Sequence, residues 1–183
     1  MGPDKGRVLK WIGFGGLAVA LVLVKLFVLD LFIIPQNGMF PSLPAGKRFL
    51  CWRHPYSSPG KVRRGDVVVF TQDVNGKRYQ FIWRVIGLPG DHVEINGENV
   101  TINDKPLQHQ HVRTYPGGTI LRESDGMASY EIAIEQNPAH PPPPVDVKVA
   151  AGQFFLLGDN RESAADSRYQ GPIAFDEIIA KKW

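Results

Sequence analysis

One cysteine, Cys51, stands in 183 residues, so no intrachain disulfide can close and stability has to come from packing. No Cys or His spacing suits zinc and no glycine-rich phosphate loop occurs, so neither a metal nor a cofactor is expected. Charge of one sign is equally scarce. The formal net charge is +3; Lys5, Arg7, Lys10 and Lys25 against Asp4 and Asp30 put +2 of it into the first 30 residues, leaving +1 for the rest. That is no nucleic-acid footprint. There is no internal repeat. The run Lys25-Leu26-Phe27-Val28-Leu29-Asp30 offers no small-x-small junction, which argues against a removable targeting segment.

What the chain does contain begins with a long hydrophobic run. Trp11 to Leu29 is apolar apart from Lys25. At about 1.5 Å per residue the run spans about 28 Å, close to the roughly 30 Å hydrocarbon thickness of a bilayer. Lys25 lies near one end, where its stem can follow apolar surface while the ammonium reaches the headgroups. Residues 11–30 are therefore expected to form one transmembrane helix. Because Lys5, Arg7 and Lys10 precede it, residues 1–10 are expected in the cytosol and 31–183 outside. The outer part is long enough for a single domain with its own core.

Its pattern is that of strands. Arg48–Trp52 and Asp66–Phe70 read as strands; Asn75-Gly76 then leads into Tyr79–Ile86, and Asn96-Gly97 separates His92–Ile95 from Val100–Ile102. Two Asn-Gly hairpin signals so close together predict an antiparallel, all-β body. From about 103 to 150 the pattern loosens into an insertion that includes Pro141-Pro142-Pro143-Pro144, read as an extended surface connector. Order returns with the strand Gln153–Leu157 and a short last strand, Ile178–Ala180, before Lys181-Lys182-Trp183.

Three runs carry chemistry: Ile34-Pro35-Gln36-Asn37-Gly38-Met39-Phe40-Pro41-Ser42-Leu43, Arg84-Val85-Ile86-Gly87-Leu88-Pro89-Gly90-Asp91, and Gly158-Asp159-Asn160-Arg161 through Asp166-Ser167-Arg168-Tyr169. With Gly65–Phe70 they resemble the bacterial type I signal peptidase family, serine-lysine leader peptidases. The resemblance implies a signal-peptidase-like antiparallel β domain with an insertion, held by one N-terminal helix in the bacterial cytoplasmic membrane. In that family a serine attacks the peptide and a buried, neutral lysine takes its proton. Here the nucleophile position is Gly38, the general-base position Trp83, the lysine-orienting position Ala164 and the oxyanion-assisting position Gln36. Glycine has no side-chain oxygen and the indole N–H has no basic lone pair, so neither can supply the missing role. The resemblance therefore implies a pseudoenzyme: losing one member of such a unit costs about 10⁶ in rate.

The charged positions Asp159, Arg161, Asp166 and Arg168 are retained, with a structural role implied around the site. Met39, Phe40, Phe81, Ile82 and Ile86 are candidates for the apolar subsites that accept a leader, with ordinary core packing as the competing reading. Implied partners are the lipid bilayer and either leader peptides of exported proteins or an active paralogue. Two alternatives stay open: an active signal peptidase with a displaced catalytic pair, for which Ser42 is the nearest hydroxyl, and an assembly subunit that binds no peptide. His109 and His111 have the spacing of half a metal site. His54 and His140 sit beside prolines and read as surface. Asn99-Val100-Thr101 is a weak glycosylation pattern inside an expected strand.

Overall fold

The computed structural model describes residues 14–20, 22, 28–138 and 140–183. Residues 14–20 and 22 are helical, and among the described residues no helix is long and apolar enough to cross a membrane. Of the expected span over 11–30, residues 11–13, 21 and 23–27 lie outside the described residues. Its last two positions are corrected: Leu29 and Asp30 open β1 (Leu29–Ile33), which pairs antiparallel with β2 (Arg48–Arg53). Backbone pairing with β2 gives these residues hydrogen-bond partners that a helix ending at 30 cannot share.

The body is antiparallel β, as expected. Strands β3 (Val67–Val74) and β4 (Lys77–Gly87) form its long hairpin, and the largest sheet runs β1-β2-β14-β3-β4-β12-β13, with β12 at Gln153–Leu157, β13 at Ile173–Ala174 and β14 at Ile178–Lys182. Both Asn-Gly signals make tight turns, in different frames. Val74 pairs with Lys77, so Asn75 and Gly76 are the two central residues and both take positive φ, 53° and 75°. In the second hairpin, β5 (His92–Asn96) with β6 (Asn99–Ile102), Asn96 pairs with Asn99, so Gly97 comes first in the turn at φ 59°. Glycine serves both frames because it alone enters this region without strain.

The insertion is more ordered than its sequence suggests. Within 103–150 lie β7 (Lys105–Pro106), which joins β6, and a three-stranded meander of β8 (Gln108–Tyr115), β9 (Gly118–Ser124) and β10 (Ser129–Glu135). Residues 141–144 have no regular structure and lead to β11 (Val145–Lys148), the partner of β5. Two cores result. One, holding Met39, Leu43, Val68, Phe70, Trp83, Phe154 and Leu156, lies against the large sheet; the other gathers Ile86, Val93, Ile95, Phe155 and Leu157. Strand β4 contributes to both, through Trp83 to the first and Ile86 to the second.

Candidate functional site

Gly38 lies in the loop between β1 and β2, and that loop is pinned at both ends. Ile34 donates to Lys47 O (3.2 Å) and accepts from Gly46 N (2.7 Å), while Asn37 Oδ1 accepts from Ala45 N (2.9 Å). Met39 and Leu43, 0% and 1% exposed, anchor it from beneath. Gly38 O in turn accepts the Asn160 amide at 3.0 Å, which fixes the third motif to the first. Trp83 reaches the same point from β4, and Ala164 from the loop after β12.

Gly38, Trp83 and Ala164 meet in the fold. A Cβ built on Gly38 stands 2.5 Å from Trp83 Cη2, 2.6 Å from its Cζ3 and 3.7 Å from Ala164 Cβ. A Cβ on Gly158 would overlap Ala164 Cβ and stand 2.6 Å from Gly38 O and 3.1 Å from Trp83 Cζ3. The volume beside position 38 is thus filled by the far edge of an indole, and two glycines and an alanine are what fit around it. Trp83 is 6% exposed and its Nε1 has no hydrogen-bond partner. Among the described residues, the side chains a Cβ at Gly38 would meet are those of Trp83 and Ala164, and neither is a basic proton acceptor.

The hydroxyl and thiol nearest to Gly38 in the sequence are those of Ser42 and Cys51. Ser42 Oγ donates to Glu131 O and accepts from Arg84 Nη2, both at 3.3 Å, and a guanidinium cannot take its proton. Burial, then the charge of Asp30, pushes the Cys51 thiol up from 9.0 to about 12, far from a thiolate at neutral pH.

The motif segments also carry a buried set of ion pairs. Arg84 grips Asp159 in a two-point bond, Nε to Oδ1 at 2.7 Å and Nη2 to Oδ2 at 2.6 Å, and its guanidinium lies 4.1 Å over the Tyr130 ring. Arg161 binds Glu123 through both terminal nitrogens, Nη1 to Oε2 at 2.8 Å. Glu123 is fully buried and also receives Tyr130 Oη (2.8 Å) and His109 Nε2 (2.9 Å). Burial alone would raise the Glu123 pKa, but the Arg161 charge and the three donors outweigh it and hold the carboxyl down at about 2. Arg168 pairs with Asp166, whose Oδ2 also takes the Gly158 amide at 2.9 Å, and Ser167 Oγ takes the Leu156 amide at 3.0 Å. All four charged motif residues, Asp159, Arg161, Asp166 and Arg168, are therefore buried and paired, and what they hold is the loop that carries Gly158, Asn160 and Ala164.

A groove of about 200 Å³ opens beside Gly38, with Gln36, Phe81 and Ile82 on its walls and Trp83 at its inner end. Phe81 and Ile82 are half-buried there and Gln36 is exposed. Met39 also lines the groove, though fully buried, and two candidates lie elsewhere: Ile86 is fully buried in the second core, and Phe40 faces a separate cavity with Tyr115. Strand alternation accounts for Ile86: four residues beyond Ile82 it shares that face of β4, but by then the strand has passed under the second core.

The histidine pair does not form a metal site. His109 is engaged by Glu123, His111 Nε2 meets Thr114 Oγ1 at 3.4 Å, and His54 and His140 are exposed. Among the described residues the one group with metal-ligand spacing is His92, Glu94 and Asp146, on neighbouring strands β5 and β11 and largely open to solvent.

Residues 8–182 match the sequence profile of the signal peptidase, peptidase S26 family. This chain belongs to that family. It is 29% identical over 177 residues to a signal peptidase I of Bacillus caldolyticus, covering 97% of this chain and 88% of that protein. To a signal peptidase I of Leptolyngbya laminosa it is 31% identical over 173 residues, covering 91% and 73%. A signal peptidase IB of Staphylococcus aureus strain COL is 30% identical over 186 residues, covering 97% and 88%. Among solved structures, a signal peptidase I of Enterococcus faecalis V583 aligns with 25% identity over 64% of this chain and 93% of that one, at a TM-score of 0.40. Within this peptidase S26 chain, two members of the buried charge set have no role assigned from the sequence. Arg84 stands inside a motif run, and its place beside the base position was the available signal. Glu123 had none, since a lone glutamate among polar residues looks solvated until the fold surrounds it.

Proposed function

We propose that this is a catalytically inert, membrane-anchored member of the signal peptidase I family, serving protein export at the bacterial cytoplasmic membrane and holding leader peptides in the groove beside Gly38. The single observation that carries the inert reading is the 2.5 Å approach of Trp83 to the place where a nucleophile's Cβ would stand. Chemistry is absent, and so is the room for it. Without nucleophile and base the remaining groups leave only the residual catalysis of binding and oxyanion contacts, with about 8 kcal/mol of barrier forgone.

The peptide-binding part of the reading is supported by the groove itself, whose walls combine apolar Phe81 and Ile82 with the Gln36 amide, able to meet a substrate carbonyl. The membrane part is supported by the apolar run at 11–29 and by the exposed face of the two strands nearest to it. Leu31, Ile33, Leu50 and Trp52, on β1 and β2, are 53%, 56%, 50% and 48% exposed, and Trp183 stacks on Trp52 at 5.7 Å. Apolar side chains with tryptophans and lysines suit a bilayer interface better than water.

The test is incubation of the purified full chain in detergent with a preprotein. No cleavage is expected from the unmodified chain, while a photo-crosslinkable leader peptide is expected to label it at the Phe81–Ile82 wall. The double variant Gly38→Ser, Trp83→Lys would place a hydroxyl beside an amine in a site where residue 83 is 6% exposed, and burial favours the neutral amine needed as base. Cleavage at the normal junction by the unmodified chain, abolished by a substitution in this site, would overturn the inert reading. Folded protein that fails to crosslink would favour an assembly subunit instead.

A further inference from the structure

Third in order from the apolar edge of the large sheet, strand β14 borders a cavity of about 490 Å³, within the roughly 300–1,000 Å³ of small-molecule sites. Lys61, Arg63, Lys181 and Lys182 are on its walls, and among the described residues no carboxylate is. The segment before β3 supplies two of these cations: Val62, 5% exposed, pins the chain, so Lys61 and Arg63 on either side of it both stand in solvent. Lys181 is already neutralised, its Nζ 2.7 Å from Asp66 Oδ1. The other oxygen of Asp66 accepts the Tyr56 hydroxyl at 2.6 Å and the Arg63 backbone N–H at 3.1 Å. Lys61, Arg63 and Lys182 form no ion pair among the described residues. Unpaired like charges gathered around one cavity repel each other, and an anion that enters relieves the repulsion.

The aromatic part of the wall bears on which anion. Trp52 pairs with Lys181 across β2 and β14, and the Trp183 N–H donates to Leu50 O at 3.0 Å, so the stacked indoles that flank the cavity also continue the exposed face of Leu31, Ile33 and Leu50. Over the two strand spacings from β1 to β14, about 10 Å, the outer surface passes from aliphatic side chains through indoles to cations. A lipid leaflet runs through the same order, from acyl chains through the interface to phosphates. We propose that this cavity holds the phosphodiester of an anionic phospholipid, with the Arg63 guanidinium and the Lys61 and Lys182 ammonium groups on the phosphate and the acyl chains laid along Leu50 and Leu31. A guanidinium meets a phosphate at two points and an ammonium meets it as a point charge. Inorganic phosphate or an acidic peptide would satisfy the cations but leave the adjoining apolar face in water. That the lipid belongs to the bilayer around the anchor rests on the membrane-anchored reading of the chain; the charge of the cavity does not.

The experiment uses the isotope-labelled full chain in a maltoside detergent at low salt, read at the indole N–H signals of Trp52 and Trp183. Dihexanoyl-phosphatidylglycerol should shift both saturably and bind about tenfold more tightly than dihexanoyl-phosphatidylcholine. The double variant Lys61→Gln, Arg63→Gln, at two exposed positions, should abolish that preference and leave the phosphatidylcholine titration unchanged. Equal binding of the two lipids by folded wild type, or a preference that survives the double variant, overturns the pocket. Inorganic phosphate or a tetraglutamate peptide binding as tightly as phosphatidylglycerol overturns the lipid as its occupant. The full chain is then placed in phosphatidylglycerol nanodiscs carrying a lipid spin-labelled in its acyl chain, which should broaden the same two indole signals. The short-lipid preference without broadening supports the pocket and sinks the placement of this face on the bilayer. Broadening without the preference keeps that placement and overturns the pocket.

Discussion

At position 38 the backbone lies outside the left-handed region, so a side chain is acceptable to the main chain and refused only by its neighbours. Gly38→Ser must push a buried indole edge that stands 2.5 Å away, and overpacking of this kind costs about 1–3 kcal/mol. In a Trp83→Lys background the ring is gone and the same serine should cost almost nothing. A double-mutant cycle by chemical denaturation is therefore expected to give a coupling of about 1–3 kcal/mol between positions 38 and 83. Simple additivity would mean that the ring swings aside freely, and the filled-site account of inertness would lose its basis. Ala164 belongs to the same small group, its methyl 3.7 Å from the Cβ a serine would add.

At the scale of elements, the meander β8–β10 is joined to the body through Glu123 and Arg161. Removing one partner leaves the other charged and dry, which is worse than removing both. Arg161→Met is expected to cost about 3–5 kcal/mol and to loosen β8 and β9 first, seen as faster amide hydrogen exchange there than in β3 and β4. Arg161→Met with Glu123→Gln should recover much of that loss. If the single variant exchanges like wild type throughout, the ion pair is not what fastens this sheet. Tyr130 ties the same junction to the site, because its hydroxyl binds Glu123 while Arg84, under the grip of Asp159, covers its ring.

For the whole molecule the buried carboxylate sets an acid limit. Glu123 is held at about 2 against 4.5, so the stability it lends is fully present above about pH 4.5 and is lost as pH falls towards 2. Its contribution is on the order of 3 kcal/mol. Glu162 runs the other way: burial raises its pKa from 4.5, so its contribution is fullest below that value and shrinks as pH rises through the raised one. Thermal unfolding between pH 5 and pH 2 should show a steep fall for wild type and a shallower one for the Arg161→Met, Glu123→Gln pair, at roughly constant ionic strength. Parallel curves would remove Glu123 from the acid limb.

The sequence by itself determined the antiparallel body, both Asn-Gly turns and the family, because each is written locally: in a period of two, a turn dipeptide, or a run of consecutive motif residues. It misjudged the start of β1, since an apolar residue such as Leu29 suits a helix end and a buried or paired strand alike. It also dissolved 103–150 into a loose insertion, because β8–β10 carry polar residues at half-covered positions and the pattern there is diluted. Only the tertiary structure decided that Trp83 fills the space beside Gly38, that Ile86 belongs to a second core, and that Glu123 and Arg161 are neighbours although 38 residues apart. Those are matters of distance between remote segments. Packing fixes them, and no local pattern records them.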